Sequence, residues 1–276
     1  MGTPATRLLW HISHVGSISI SVSTCINKMA ASRRAVQALE WGAIGTNMYI
    51  FAKWNFFAAP KEAKKQDGKI DSNSRAYVAA KLLHERYMID NFTLSRRNID
   101  EGRWYTMLTS AFSHQNLPHL LVNMFMLHQA TIIGTYVGLG PLRLATLALG
   151  SALGGSVGAL YDNTQRIRAG ERDVPGQGAS GMVQGMLVAT MLAAPFLPMQ
   201  VFFIPIDISY RTVVGGFLAW DMYHLYEERS AGGRKPGWTG SYVGYAAHLG
   251  GAAFGAAFYL VAMRRGRMMP RIKMRR

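Results

Sequence analysis

The sequence predicts an all-α membrane protein, a bundle of helices that crosses the bilayer six times. Hydrophobic residues make up 49% of the 276-residue chain, and they are concentrated in blocks separated by polar loops. Several blocks have the length of about 20 residues that a helix needs to cross a bilayer. The 29 glycines suit membrane helices, whose backbones approach one another through small residues.

The predicted spans follow one another along the chain. They cover residues 41–58, 117–137, 142–161, 179–198, 208–226 and 242–263. A polar insert at 59–105 separates the first span from the second, and its residues 61–74 are expected to form a flexible loop. Apolar residues recur at helical spacing over 76–90, which predicts a helix lying at the membrane interface.

The membrane domain is therefore expected at 41–263, between two basic segments. Residues 1–40 contain no acidic residue before Glu40 and many serines, a composition typical of a mitochondrial transit peptide. A disordered basic tail is the alternative for this segment. Residues 264–276 carry seven positive charges directly after a predicted span, where basic residues contact anionic lipid or fix topology. The net charge of +15 thus favours a lipid bilayer as partner and not a nucleic acid.

Glycines recur at every fourth residue in three of the predicted spans. They are Gly150, Gly154 and Gly158 in the third span, Gly181 and Gly185 in the fourth, and Gly251 and Gly255 in the sixth. Each series places a flat strip on one face of a helix. The pattern predicts close helix–helix packing and specifies no chemistry.

A serine and a histidine lie in two separate predicted spans. Ser180 opens the fourth span, and His248 lies in the sixth span, 68 residues later. A serine hydroxyl is a weak nucleophile that needs a base, and histidine suits that task near neutral pH. Each residue alone could serve helix packing, because serine bonds to its own backbone and histidine bonds to neighbouring helices. As a pair inside a bilayer, where ionisable groups usually serve function, they predict a serine hydrolase.

Two further polar residues lie in the second predicted span. His119 and Asn123 are four residues apart and therefore share one helix face. A buried asparagine amide needs a partner, or it can donate to charge that develops on a reacting oxygen. The alternative is that both side chains link neighbouring helices.

Other chemistries fit the sequence poorly. His84 and Glu85 begin a string that lacks the second histidine of a zinc site, because Met88 stands at that position. Met182 also excludes a Gly-x-Ser-x-Gly elbow around the serine. We expect no metal or other cofactor. A transporter or lipid-binding protein is the alternative if Asn123, His128 and Asp221 line a solute path.

Three strings resemble the signature motifs of the rhomboid intramembrane serine proteases. The strings are His119-x-x-x-Asn123, Gly178-Ala179-Ser180-Gly181 and Ala247-His248-x-x-Gly251. They occur in the family's order and in its second, fourth and sixth helices. Arg103-Trp104-Tyr105 resembles the family's first loop, and the long first loop with the transit-like start is most similar to mitochondrial rhomboids.

The resemblance implies a six-helix rhomboid-like bundle in the mitochondrial inner membrane. It makes Ser180 the nucleophile and His248 the general base of a dyad without an aspartate. Asn123, His119 and the Ser180 amide would form the oxyanion hole. Transmembrane protein substrates would enter sideways from the lipid and unwind locally near small residues. A catalytically inactive relative that binds or escorts membrane clients is the alternative.

The resemblance also makes expectations about packing around the dyad. Gly251 and Gly255 would let the sixth helix approach the fourth, so that His248 reaches Ser180. The chain has Met182 where the family usually has alanine. It also has Gln184 where the family often has an aromatic residue that stacks on the histidine, and this glutamine could bond to His248 instead.

Overall fold

Most of the regular structure is helical, which confirms the predicted fold class at that level. The structure is a computed structural model that describes residues 4–57, 59–65, 68–199, 206–230, 233 and 242–264, with the backbone alone for 4–29. The helices are α1 (Pro4–Asn55), α2 (Arg75–Phe92), α3 (Arg96–Asp100), α4 (Thr106–Thr109), α5 (Leu117–Tyr136), α6 (Pro141–Arg168), α7 (Ser180–Ala193), α8 (Tyr210–Ser230) and α9 (Tyr245–Phe258). A π-helical turn, Tyr259–Met263, continues α9, and 3₁₀ turns lie at Lys61–Ala63 and Ser110–Phe112.

Each predicted span contains a helix, but the first helix is much longer than predicted. It begins at Pro4, so the backbone of the segment predicted as targeting or disordered continues into the first span as one helix. Its predicted role in targeting stays a prediction. The predicted basic tail, 264–276, lies outside the described residues beyond Arg264.

The fourth predicted span is shorter in the structure. It ends at Ala193 because prolines follow at 195 and 198, and proline disfavours helical backbone in the residue before it. The chain then forms a short antiparallel ribbon, β1 (Pro198–Met199) with β2 (Ile208–Ser209), which leads into α8. The all-α prediction missed this ribbon.

Two helices of the described part are long and apolar enough to cross a membrane. They are Pro141–Arg168, with a mean hydropathy of 1.4, and Tyr245–Met263, with a mean hydropathy of 1.5. Helix α7 is apolar but has only 14 residues. Six membrane crossings therefore stay a prediction.

Helices α7 and α9 approach each other backbone to backbone. A Cβ added to Gly251 would lie 1.9 Å from the backbone oxygen of Gly181. One added to Gly255 would lie 2.0 Å from the backbone oxygen of Gly185. No side chain fits at such distances, so glycine at these positions is what permits the contact.

Helix α6 packs against α9 through the same device. A Cβ on Gly154 would lie 2.8 Å from the backbone oxygen of Gly250, and one on Gly158 would lie 2.3 Å from that of Ala246. The three predicted glycine strips are therefore confirmed as contact surfaces. They join α6, α7 and α9 into a tight group, which we call the packed trio.

Helix α8 is attached to the packed trio by polar contacts along its length. At its start, the Tyr210 hydroxyl lies 2.9 Å from Thr190 Oγ1 of α7. Near its end, Glu228 Oε2 accepts from Arg166 Nη2 of α6 at 2.7 Å, and Arg166 Nε donates to Asp162 at 2.8 Å. Arg166, Asp162 and Glu228 are all buried, and we call them the α6–α8 ion cluster.

The insert contains the predicted helix and is fixed to the loop that precedes α7. Helix α2 begins after Ser74, whose hydroxyl accepts from the Tyr77 amide. Leu82 of α2 is exposed, in keeping with the predicted interfacial helix, but its position at a membrane stays a prediction. Leu94 exchanges two backbone hydrogen bonds with Gly176, of 2.7 and 2.8 Å.

Candidate active site

Ser180 is the first residue of α7 and follows a sharp turn at Gly178. Gly178 has φ +129°, a conformation that favours glycine. A Cβ there would also lie 2.8 Å from His119 Cε1, so the turn leaves no room for a side chain. The Gly178 amide donates to the backbone oxygen of Ser110 at 2.9 Å, which ties this turn to the 3₁₀ turn at Ser110–Phe112. The backbone that precedes Ser180 is thereby held in place.

The predicted nucleophile and base are in contact. His248 lies in the first turn of α9, and its Nε2 is 2.8 Å from Ser180 Oγ. The close approach at Gly181 and Gly251 brings the two helices near enough for this hydrogen bond. The expectation that glycine packing lets His248 reach Ser180 therefore agrees with the observed geometry.

The other ring nitrogen of His248 faces a carboxylate. His248 Nδ1 lies 2.9 Å from Asp221 Oδ1 on α8, and Asp221 is 5% exposed. The predicted dyad has no aspartate, and the prediction for Asp221 was only a place in a solute path. The sequence did contain a signal that Asp221 has a partner, since burying a carboxylate within an apolar segment costs free energy unless it is paired. The pairing could not be seen without the fold.

His119 lies beside the same turn, and Asn123 lies one helical turn further along α5. Asn123 is buried, and its amide donates to the backbone oxygen of His119 at 2.9 Å. A carboxamide nitrogen carries two hydrogens, so a second N–H remains for another acceptor. His119 faces Gly178 and is close enough to His248 for an electrostatic interaction. Of the two predicted oxyanion residues, His119 thus lies near Gly178 and His248, and Asn123 bonds to His119 within α5.

His114 is a residue of the site whose role the sequence analysis missed. It is fully buried, and its Nε2 accepts a hydrogen bond from the Ala179 amide at 3.3 Å. Its ring meets that of His119 edge to face, with 4.9 Å between the ring centres. Burial, and to a smaller extent the neighbouring His119, lowers the pKa of His114 to about 3. His114 is therefore neutral near pH 7 and holds the residue before the serine.

The two departures from the family pattern lie in the core. Met182 is 2% exposed and Gln184 is 7% exposed. Gln184 does not bond to His248, whose two nitrogens face Ser180 and Asp221, and Gln184 Nε2 has no hydrogen-bond partner among the described residues. The ring edge that meets His248 belongs to Tyr245, with 6.3 Å between centres at 84°.

The polar residues considered for a solute path have separate hydrogen-bond partners. His128 of α5 pairs with Glu40 of α1. Asn123 bonds to its own helix, and Asp221 bonds to His248. These three side chains thus have separate partners on different helices. The arrangement favours a hydrolytic site over a transport path.

Comparison with known proteins places the chain among the members of one family. The family profile described as "Rhomboid domain" matches residues 101–265, which include the serine, the histidine and both candidate oxyanion residues. The mitochondrial RHOMBOID-like protein 12 of Arabidopsis thaliana is 30% identical over 214 residues, which cover 72% of this chain and 58% of that protein.

Two other relatives extend the similarity. The chloroplastic rhomboid-like protein 16 of Arabidopsis thaliana is 32% identical over 143 residues, covering 46% of this chain and 44% of that protein. The mitochondrial presenilin-associated rhomboid-like protein A of Danio rerio is 28% identical over 173 residues, covering 62% and 40%. The chain thus spans about half the length of these curated relatives. Since the family profile matches more than half of the chain, the protein belongs to the rhomboid family.

Proposed function

We propose that the chain is an intramembrane serine endopeptidase that cleaves transmembrane segments of membrane proteins. The observation that carries this proposal is the 2.8 Å hydrogen bond between Ser180 Oγ and His248 Nε2. Membership of the rhomboid family supports it, because both residues that the resemblance assigns to catalysis are present.

In the proposed reaction, His248 Nε2 accepts the hydroxyl proton as Ser180 Oγ attacks the carbonyl carbon of the scissile peptide. The protonated imidazole then donates that proton to the leaving amine. A water molecule, deprotonated by the same nitrogen, releases the acyl group from Ser180. The imidazole thus returns to its starting form after each turnover.

The developing oxyanion needs donors that are already in place. Ser180 starts α7, and the first amides of a helix have no acceptor within it, so the Ser180 N–H can point at the oxyanion. The second N–H of Asn123 and the ring of His119 supply further donors. Each such donor typically contributes about 3 kcal/mol to lowering the barrier.

The proposed setting is a lipid bilayer crossed by α1 and α5 to α9, with α2 at its surface. The substrate in this proposal is a transmembrane helix of another protein, reached from the lipid. The exposed apolar side chains of the outer helices support it, among them Val157 of α6, Trp220 of α8 and Val261 after α9. Neither a nucleic acid nor a cofactor has a part in the proposal.

The proposed location is the mitochondrial inner membrane. Two of the relatives described above have mitochondrial names and one has a chloroplastic name. The acid-free, serine-rich start of the chain favours the mitochondrion. A fluorescent protein fused after residues 1–40 should enter mitochondria, and its delivery to another compartment would contradict this proposal.

The activity can be tested with purified protein in liposomes. The parent should cleave a model transmembrane substrate and should react with a serine-directed fluorophosphonate. Ser180→Ala and His248→Ala should each lower both signals by about 10³-fold or more. Ser209→Ala is the matched control, because that hydroxyl bonds to Thr212 at the start of α8 and should have no effect.

Two outcomes would reject the proposal. Labelling that survives Ser180→Ala would show that another residue reacts. A folded parent that neither labels nor cleaves would favour the inactive relative that binds membrane clients. Thermal unfolding in detergent shows whether each variant is folded.

A further inference from the structure

We propose that Asp221 of α8 is a positioning residue that fixes the tautomer and ring orientation of His248, so that the site works as a Ser-His-Asp triad. The proposal rests on the proposed function and adds to it a third residue. The observation behind it is the chain of hydrogen bonds from Ser180 Oγ through both ring nitrogens of His248 to Asp221.

The geometry determines where the hydrogen on the neutral ring lies. An ionised carboxylate can only accept hydrogen bonds, so Nδ1 of His248, 2.9 Å from Asp221 Oδ1, must carry the hydrogen. Nε2 is then the bare nitrogen, and it is the one that faces Ser180 Oγ at 2.8 Å. This is the tautomer that can accept the serine proton.

Asp221 supplies the negative charge beside the His248 ring. Within the part of the chain that the structure describes, the groups near the ring come from four helices. They are His119 of α5, Ser180 of α7, Asp221 of α8 and the ring of Tyr245 on α9. Of these, only Asp221 is an anion at neutral pH, so it is the group that can stabilise a positively charged imidazole.

A purely structural role explains Asp221 less well. The carboxylate that fastens the end of α8, Glu228, bonds to Arg166, which carries a permanent charge. Asp221 bonds instead to an imidazole that becomes charged only when it takes a proton. The side chains of Asp221 and His248 are 7% and 17% accessible, so water screens their interaction weakly. The free-energy cost of burying a carboxylate beside a neutral ring is offset when that ring becomes cationic during a reaction.

The proton balance of the step is simple. The serine proton moves from Oγ to Nε2, while the hydrogen on Nδ1 stays there and points at Asp221. The imidazolium that forms is stabilised by the carboxylate, which remains unprotonated. The proton on Nε2 then leaves with the amine product, so Asp221 contributes orientation and charge but no bond.

The central test is Asp221→Asn, measured in liposomes by cleavage and by the rate of fluorophosphonate labelling. An asparagine amide can donate to Nδ1 and thereby favour the tautomer with its hydrogen on Nε2, which cannot accept the serine proton. We expect kcat to fall about 10³-fold to 10⁴-fold, with KM changed less than about threefold. Labelling should slow by a similar factor.

Rescue by the conservative variant separates positioning from mere attachment of α8. Asp221→Glu keeps a carboxylate that can accept from Nδ1, so it should restore part of the kcat that Asp221→Asn loses. Glu228→Gln is the matched control, because it loosens α8 elsewhere and should lower the melting temperature without changing the kcat of the folded fraction.

A spectroscopic test needs no active variant. In the parent labelled with ¹⁵N-histidine, the signal that disappears in His248→Gln should show hydrogen on Nδ1 at neutral pH. Hydrogen on Nε2 would overturn the proposal even if Asp221→Asn failed to fold. A folded Asp221→Asn variant that matches an active parent in kcat would also overturn it. A parent without cleavage or labelling would reject the proposed function itself, which is a different result.

Discussion

The packed trio and α8 are held in place by different means. Helices α6, α7 and α9 touch backbone to backbone, and an added methyl group at Gly251 would overlap the neighbouring helix. Helix α8 exposes large side chains such as Trp220 and Tyr223 and is held by separate polar contacts along its length. Shape therefore determines the position of Ser180 relative to His248, whereas charge determines the position of Asp221.

This difference predicts which substitutions disturb the packed trio and which disturb α8. Backbone contacts distribute their stabilisation over many atoms, and a bulkier residue disturbs them by forcing the helices apart. A polar contact depends on two or three groups, and it is lost when one of them is removed. The contact between Ser180 and His248 should thus respond to side-chain size, and α8 should respond to charge.

The largest expected effect comes from the α6–α8 ion cluster. Arg166→Met removes the cation that bonds to both Asp162 and Glu228, and breaking a buried ion pair in this way costs about 3 kcal/mol or more. We expect a corresponding fall in the free energy of unfolding in detergent. Fluorophosphonate labelling of the folded fraction should persist, because the contact between Ser180 and His248 lies in the packed trio.

The matched control for that prediction is the double variant Arg166→Met with Glu228→Gln. Removing the carboxylate along with its cation leaves less buried charge, so stability should partly recover. A double variant no more stable than the single one would show that the unpaired carboxylate of Glu228 is not the cause of the loss.

The second prediction tests the packed trio. Gly251→Ala places a methyl group 1.9 Å from the backbone oxygen of Gly181, so α9 must move away from α7. We expect a loss of about 2 kcal/mol in stability, and a displacement of about 1 Å at the site should slow labelling about 100-fold.

Gly216→Ala on α8 supplies the comparison for Gly251→Ala. A Cβ at Gly216 meets nothing within 4 Å, so the change should be neutral or stabilising by up to about 1 kcal/mol. Equal effects of the two substitutions on labelling would contradict the contrast between the two regions.

The smallest expected effect is on acid stability through His114, beside the turn that supports Ser180. Burial lowers the pKa of His114 in the folded protein to about 3, below the 6.5 of an unperturbed histidine. The unfolded chain therefore binds more protons, and the contribution of His114 is present above about pH 6.5 and is lost as the pH falls towards 3. Between about pH 7 and pH 5.5 the loss should be about 1 kcal/mol.

His114→Gln isolates this contribution. Its side-chain oxygen can still accept from the Ala179 amide, but it does not titrate. The variant should lose about 1 kcal/mol less than the parent over the same pH range, measured by denaturant unfolding in detergent. Identical acid losses in the two proteins would contradict the prediction.

The sequence was sufficient to predict the helical class, the glycine strips and the candidate serine and histidine. Those features depend on local spacing, which one chain displays directly. Asp221 could not be paired with His248, because 27 residues and a change of helix separate them and their register depends on how α8 lies against α9. The helical backbone of residues 4–40 was also missed, since a serine-rich, basic composition gives no apolar pattern to read.

In the proposed function, the shortness of α7 has a consequence for how substrates are selected. Fourteen residues rise about 21 Å, roughly 9 Å less than the hydrocarbon layer. If the far end of α7 meets one boundary of that layer, its first residue lies well beneath the opposite boundary. A peptide bond arriving there has to shed its internal amide partners at a depth where lipid offers none, at several kcal/mol for each exposed group. A substrate is then selected by how readily its transmembrane helix unwinds at this depth, before any of its side chains is recognised.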